Sequence, residues 1–171
     1  MANDRQFRVR TTFIAARDVN EYRATIPAWV NADDAVLEIG CEWGTTTRII
    51  ARYARAVIGT DISADCIERA RNENPGIRFE VLDGFDARAA LALAEGLDGG
   101  FTKVYVDMSG ISGYRSLLDC IALLQMYGTV LGPKAIVVKS ASLKNFASHC
   151  TPWRGDDDGR GRPRPPQREE P

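Results

Sequence analysis

The chain has 171 residues, 44% of them hydrophobic, which is enough for one domain with a sizeable core. Its formal net charge of −1 argues against a tight, non-specific nucleic-acid binder. No apolar run approaches the roughly 18 residues that a membrane span needs. Four scattered cysteines and one histidine lack zinc-ligand spacing, so we expect reduced thiols and no metal site. These features predict a cytoplasmic protein that is not bound to a membrane.

Strand-like runs alternate with helix-like segments along the chain. Residues 7–16 favour a short strand, and residues 19–30 a lead-in helix broken by Pro27. The strands that follow are predicted near 36–39, 56–60, 77–82, 104–106 and 135–138, with helices after 44 and over 66–72, 87–95, 113–130 and 142–149. Short strands separated by helices imply βαβ crossovers. We predict an α/β fold with a doubly wound, mostly parallel sheet.

The composition divides the chain into three parts. Residues 1–30 form an N-terminal lead-in segment, and residues 31–150 hold the alternating strands and helices. Residues 151–171 contain almost no apolar side chain after Trp153. Such a segment buries too little apolar surface to offset its ordering entropy, so we predict a disordered tail.

The most informative stretch is residues 36–47, with the sequence VLEIGCEWGTTT. An apolar run ends at Glu38, passes through Gly40 and Gly44, and enters a predicted helix, an arrangement that brings backbone N–H groups close to a small ligand. Asp61 closes the next apolar run, near the roughly 20-residue spacing at which a carboxylate meets a ribose in nucleotide-binding βαβ units. The glycines of a dinucleotide fingerprint are missing, and no lysine precedes Lys103, which excludes a Walker A loop.

Together these residues resemble motifs I and II of the class I S-adenosyl-L-methionine (SAM)-dependent methyltransferases. The acidic-x-Gly-x-Gly-x-Gly pattern of that family is met except at its middle glycine, which is Glu42 here. The resemblance implies a Rossmann-like core and SAM as the cofactor. It also implies a set of cofactor-binding residues: Glu38, Gly40, Gly44, Asp61, Ile62, Asp83 and Gly84.

The resemblance implies a cofactor contact for each of these acidic residues, and each also has a purely structural alternative. Glu38 would help to hold the methionine end of SAM, Asp61 would accept from the ribose hydroxyls, and Asp83 from the adenine amino group. Aspartate is also favoured as the cap of a following helix, whatever its function. At the third strand end Asp86 competes with Asp83 for either role.

The next two predicted strands end at Asp107 and Lys139, which we predict as the catalytic residues. In the resemblance, Asp107 follows the strand that borders the transferred methyl group. RNA 2′-O-methyltransferases, including those like fibrillarin, use an Asp and a Lys at these two strand ends. The family's further lysine before motif I is absent here. Lys139 can also be a charged residue that snorkels at the rim of a buried strand.

The sequence ends without the antiparallel hairpin of two further strands that usually closes this family's sheet. The strand that ends at Lys139 would then be an open, hydrophobic edge, which a protein partner or a second copy would cover. The leading function is methyl transfer to an unidentified acceptor, with an RNA ribose 2′-hydroxyl as the first candidate. The alternatives are a catalytically silent SAM-binding or partner-dependent subunit, and a small-molecule or protein methyltransferase.

Overall fold

The computed structural model describes residues 9–108, 110 and 113–151 of the chain. The strands are β1 (Thr12–Ala16), β2 (Ala35–Ile39), β3 (Ala56–Asp61), β4 (Arg78–Val81), β5 (Lys103–Val106) and β6 (Ala135–Lys139). The helices are α1 (Val19–Ala24), α2 (Ile26–Trp29), α3 (Thr45–Ile50), α4 (Ala64–Glu73), α5 (Ala87–Ala94), α6 (Leu117–Val130) and α7 (Ala141–Ser148). The predicted alternation of strands and helices is confirmed. None of the described helices is long and apolar enough to cross a membrane.

The six strands form one sheet in the order β1-β6-β5-β2-β3-β4, and every neighbouring pair runs parallel. The order reverses between β2 and β5, because β3 and β4 extend the sheet to one side and β5 and β6 to the other. Ligands of open α/β sheets bind at the carboxyl ends of the strands beside such a reversal. Gly40 and Asp107 directly follow the two strands at that point.

The edge next to β6 is not open. Strand β1 pairs with β6 over five residues, from Thr12 opposite Ala135 to Ala16 opposite Lys139. The expectation that a partner or a second copy covers this edge is therefore wrong, because the chain's own β1 already satisfies the backbone groups of β6. No antiparallel hairpin follows β6 within the described residues, and the predicted tail beyond residue 151 lies outside them.

Two hydrophobic cores cover the two faces of the sheet, since successive strand side chains point in opposite directions. On one face Leu37, Val104 and Val138 pack with residues of α5 and α6. On the other, Val36, Tyr105 and Val137 pack with Tyr22, Ile26 and Ile50 of helices α1–α3. The same alternation places Glu38 and Lys139 on the face that carries Tyr105.

A buried ion pair lies at the amino ends of β2 and β5, opposite the predicted site. Lys103 Nζ lies 2.8 Å from Asp34 Oδ1, and both side chains are less than a tenth exposed. The Thr102 hydroxyl donates to the same oxygen at 2.6 Å. This pair ties the starts of the two strands together and so supports the register that positions their carboxyl ends.

Candidate functional site

The turn between β2 and α3 is held tightly against its neighbours. The N–H groups of Gly40 and Cys41 both donate to the Thr60 carbonyl, at 2.8 and 2.9 Å. Gly40 has φ +80°, and a Cβ there would lie 2.2 Å from the Asp107 carbonyl oxygen. Gly44 has φ +78°, and its Cβ would lie 2.6 Å from the Phe79 ring. Only glycine fits at these two positions, which explains both predicted glycines physically.

Glu42 occupies the place of the family's middle glycine and takes a left-handed conformation, with φ +49°. Its side chain is exposed. Its backbone N–H donates to Asp61 Oδ2 at 3.0 Å, and the Ser63 N–H donates to the other oxygen at 2.9 Å. Each oxygen of a carboxylate has room for a second donor. Asp61 therefore orders the turn and still has acceptor capacity for a ligand's hydroxyl groups.

Helix capping does not account for Asp61 or Asp83. Helix α4 is capped by Ser63, whose hydroxyl accepts from the Cys66 N–H at 3.3 Å. Helix α5 is capped by Asp86, which accepts from two N–H groups of its first turn. Asp83 accepts one backbone hydrogen bond, from the Phe85 N–H at 2.9 Å. Of the two aspartates, Asp86 is therefore the cap of α5, and the Asp83 carboxylate is left just beyond the end of β4.

An open cleft of about 200 Å³ lies at the carboxyl ends of the strands. Six predicted residues line it: Gly40, Asp61, Ile62, Asp83, Gly84 and Asp107. Ile62 is 69% exposed and presents an apolar surface in the same cleft as the two aspartates. Gly110 also lines the cleft, as do Ile39, Leu82 and Met108, which the sequence analysis did not single out. The signal in the sequence that could have identified them is their position next to Gly40, Asp83 and Asp107 along the chain.

Gly84 lies where the wall of the cleft is most crowded. A Cβ at this position would lie 2.7 Å from the Met108 sulfur and 2.9 Å from the Ile39 side chain. The Gly84 carbonyl accepts a hydrogen bond from the buried Tyr127 hydroxyl at 2.9 Å. The backbone at Gly84 is therefore fixed against the cleft and leaves no room for a side chain.

Glu38 does not line the open cleft. It is 1% exposed, and its carboxyl accepts a hydrogen bond of 2.5 Å from the Thr47 hydroxyl of α3. Burial raises the pKa of Glu38 to about 8, although the Thr47 hydrogen bond lowers it, and the Asp107 charge raises it further. Arg23 lies nearby and donates to the neighbouring Thr46 at 3.0 Å. Glu38 thus braces the start of α3 from beneath the glycine turn.

Asp107 and Lys139 form an ion pair between the carboxyl ends of β5 and β6. The two side chains are 17% and 27% exposed, so the pair is partly withdrawn from water. Asp107 lines the cleft, and its N–H donates to the Ile39 carbonyl at 2.8 Å. The structure thus brings the two predicted catalytic residues together. A lysine that merely snorkels to solvent would not need this partner.

Tyr114 and Asn145 connect the segment after β5 to helix α7. The Asn145 side-chain amide donates to the Tyr114 hydroxyl, and the Tyr114 side chain is 63% exposed. Arg115 is exposed beside it. Tyr114 therefore does not pack into the core, and its hydroxyl links the segment after β5 to helix α7, which follows β6.

Comparison with known proteins finds a family model that matches part of the chain. Residues 36–108 are similar to the model of a methyltransferase domain. This family implies SAM as the cofactor. The matched segment runs from β2 through β5 and contains all the predicted cofactor-binding residues.

Solved structures share the fold. A TehB-like SAM-dependent methyltransferase from Corynebacterium glutamicum is 20% identical, with a TM-score of 0.51 over 71% of this chain and 62% of that one. DesVI from Streptomyces venezuelae is 17% identical, with a TM-score of 0.50 over 71% of this chain and 52% of that one. The matched region thus spans about half to three fifths of these relatives' length. None of the curated proteins compared with the chain matches it significantly.

Proposed function

We propose that this chain is a SAM-dependent methyltransferase that transfers a methyl group to a hydroxyl acceptor held beside Asp107 and Lys139. The observation that carries the proposal is the Asp107–Lys139 ion pair at the reversal point of the sheet, with Asp107 in the same cleft as Asp61 and Asp83. An acid–base pair next to a candidate cofactor cleft suits an acceptor that must lose a proton.

The residues that line the cleft fit the cofactor in charge and shape. Asp61 has acceptor capacity for two ribose hydroxyls, and Asp83 for the adenine amino group. Ile62 offers an apolar face for the adenine ring. Gly40 and Gly84 keep the backbone bare where a side chain would collide with Asp107 or Met108. When bound, SAM supplies an electrophilic methyl group on a sulfonium.

The chemistry that this chain would contribute is alignment and proton removal. Asp107 accepts the hydroxyl proton of the acceptor, and the Lys139 ammonium stabilises the negative charge that develops on its oxygen. A bound SAM would supply the methyl group to that oxygen, with its sulfur as the leaving group. Because the displacement is in-line, the position of the acceptor relative to the cleft sets most of the rate.

An RNA ribose 2′-hydroxyl is the first candidate for the acceptor. The Asp–Lys pair at these two strand ends supports it, since a ribose hydroxyl is a poor nucleophile that needs its proton removed. A small-molecule hydroxyl is the second candidate. It is favoured by the formal net charge of −1, which offers no overall electrostatic attraction to a phosphate backbone.

Lys139→Ala tests the proposal, with Lys144→Ala as its matched control. Lys144 is an exposed lysine that pairs with Glu21 and does not line the cleft. We expect Lys139→Ala to bind SAM within about twofold of the unmodified chain and to lose methyl transfer by about 100-fold or more. Transfer of radiolabelled methyl groups to an RNA pool and to a small-molecule pool measures this loss.

The same assay separates the rival function, a catalytically silent SAM-binding or partner-dependent subunit. In that case the unmodified chain and Lys139→Ala would both bind SAM and show the same background transfer. An equal loss in Lys144→Ala would also contradict the assigned role, because it would trace the defect to general surface charge.

A further inference from the structure

The hydroxyl of Tyr22 is a feature near the site that the proposed function leaves without a role. Tyr22 lies on α1 and is 0% exposed. Within the described residues, its hydroxyl has no hydrogen-bond partner. A buried hydroxyl without a partner destabilises the folded chain, because it has lost its hydrogen bonds to water. Buried polar groups without a partner are rare in folded proteins, so this hydroxyl calls for an explanation.

The surroundings of Tyr22 point to Glu38 as that partner. The Tyr22 ring packs edge-on against the Tyr105 ring, with 5.3 Å between the centroids. Tyr105 is the register partner of Glu38 on the neighbouring strand. Burial raises the pKa of Tyr22 well above its ordinary value, and the nearby charges of Glu38 and Asp107 raise it further.

One carboxyl oxygen of Glu38 can accept a further hydrogen bond. Thr47 donates to its Oε2, and no donor to Oε1 is recorded among the described residues. The carboxyl lies beneath the glycine turn at 1% exposure, where an ionised group needs more than one donor. The charged and titratable groups around it come from three parts of the chain: Tyr22 and Arg23 of α1, Cys41 of the turn, Tyr105 of β5 and Asp107 directly after it. Asp107 is itself paired with Lys139 of β6.

We propose that Tyr22 is a positioning residue of the cofactor site, whose hydroxyl becomes the second hydrogen-bond donor to Glu38 when the cofactor's positive charge draws that carboxyl into its ionised form. Glu38 then releases its proton to solvent. Helix α1, which also holds Thr46 through Arg23, is thereby tightened onto the start of α3 as the cofactor binds. This inference rests on the proposed function, since it requires that the chain binds SAM.

Tyr22→Phe tests the role because it removes only the oxygen atom. Tyr105→Phe is the matched control, since the two rings pack together and the Tyr105 hydroxyl already lies 3.1 Å from the Thr25 hydroxyl. Without ligand, we expect Tyr22→Phe to melt at or above the temperature of the unmodified chain. A marked fall in melting temperature would overturn the proposal, because it would show that the hydroxyl has a structural partner in the free protein.

Calorimetric titration with SAM from pH 6 to pH 7.5 gives the decisive result. We expect SAM to bind the unmodified chain more tightly as pH rises through this range, with release of a proton, because the pKa of Glu38 in the free chain is about 8. We expect Tyr22→Phe to lose little affinity at pH 6 and about tenfold at pH 7.5, where Glu38 is ionised in the complex and still largely protonated in the free chain. Tyr105→Phe should follow the unmodified chain at both pH values.

Glu38→Gln completes the test as a double-mutant cycle. In the Glu38→Gln background the affinity should not depend on pH, and adding Tyr22→Phe should change nothing further. The same loss in both backgrounds, or no loss in either, would overturn the role of Tyr22 while leaving the proposed function intact. If the unmodified chain binds no SAM at any pH, the proposed function itself fails, and this inference fails with it.

Discussion

Asp83 and Asp86 lie three residues apart and have separable roles. Asp86 accepts two N–H groups of the first turn of α5, so Asp86→Ala should lower the free energy of unfolding by about 1 kcal/mol and leave SAM affinity unchanged. Asp83 lines the cleft, so Asp83→Ala should weaken SAM binding about tenfold, or roughly 1.4 kcal/mol. Denaturant unfolding and calorimetry measure the two quantities. A loss of stability in Asp83→Ala and a loss of SAM affinity in Asp86→Ala would show that the capping role and the SAM-binding role are assigned to the wrong aspartates.

Glu38 should also impose a pH dependence on stability. Its pKa is about 8 in the folded chain and near the ordinary value of 4.5 in the unfolded chain. Between these values the folded state holds a proton that the unfolded state lacks, so the free energy of unfolding falls as pH rises from about 4.5 to about 8. The loss is on the order of a few kcal/mol.

The Glu38→Gln variant checks this pH dependence, because an amide cannot ionise. Urea unfolding at pH 5 and pH 8 should show a smaller difference between the two pH values in the variant than in the unmodified chain. Identical differences would mean that another group causes the pH dependence and that Glu38 is not held in its protonated form.

At the scale of elements, the Asp34–Lys103 pair fixes β2 against β5 at the end opposite the cleft. Lys103→Met removes one partner and leaves a buried carboxylate with no opposite charge, which should cost about 3–5 kcal/mol in the free energy of unfolding. Adding Asp34→Asn should recover part of that loss. A cost below about 1 kcal/mol for Lys103→Met alone, measured by urea unfolding, would show that the pair does not hold the strands.

The positions of strands and helices were predictable because the signals are local. The Ser63 cap of α4 and the apolar alternation around Phe79 each lie within a few residues of the element that they specify. The pairing of β1 with β6 had no such signal, since Ile14 and Val137 meet only through the whole fold. The sequence therefore predicted a strand near residue 14 but not the edge that it covers.

At the scale of the whole molecule, some features of the candidate site were predictable from the sequence and others depend on the complete fold. Six of the predicted residues meet in one cleft because each follows a parallel strand, and the carboxyl ends of parallel strands share one edge of a sheet. Two features escaped prediction. The burial of Glu38 depends on which face of the sheet it takes, and the unpartnered hydroxyl of Tyr22 depends on how α1 packs across that face.

Calorimetric titration of the full-length chain with SAM, and separately with NAD⁺, tests the central claim most directly. The account predicts SAM binding with a dissociation constant of about 10 μM, roughly −7 kcal/mol, and no heat from NAD⁺. Asp61→Ala should abolish that binding while the chain stays folded, since Asp61 lines the cleft. A folded chain that binds neither compound would contradict the account.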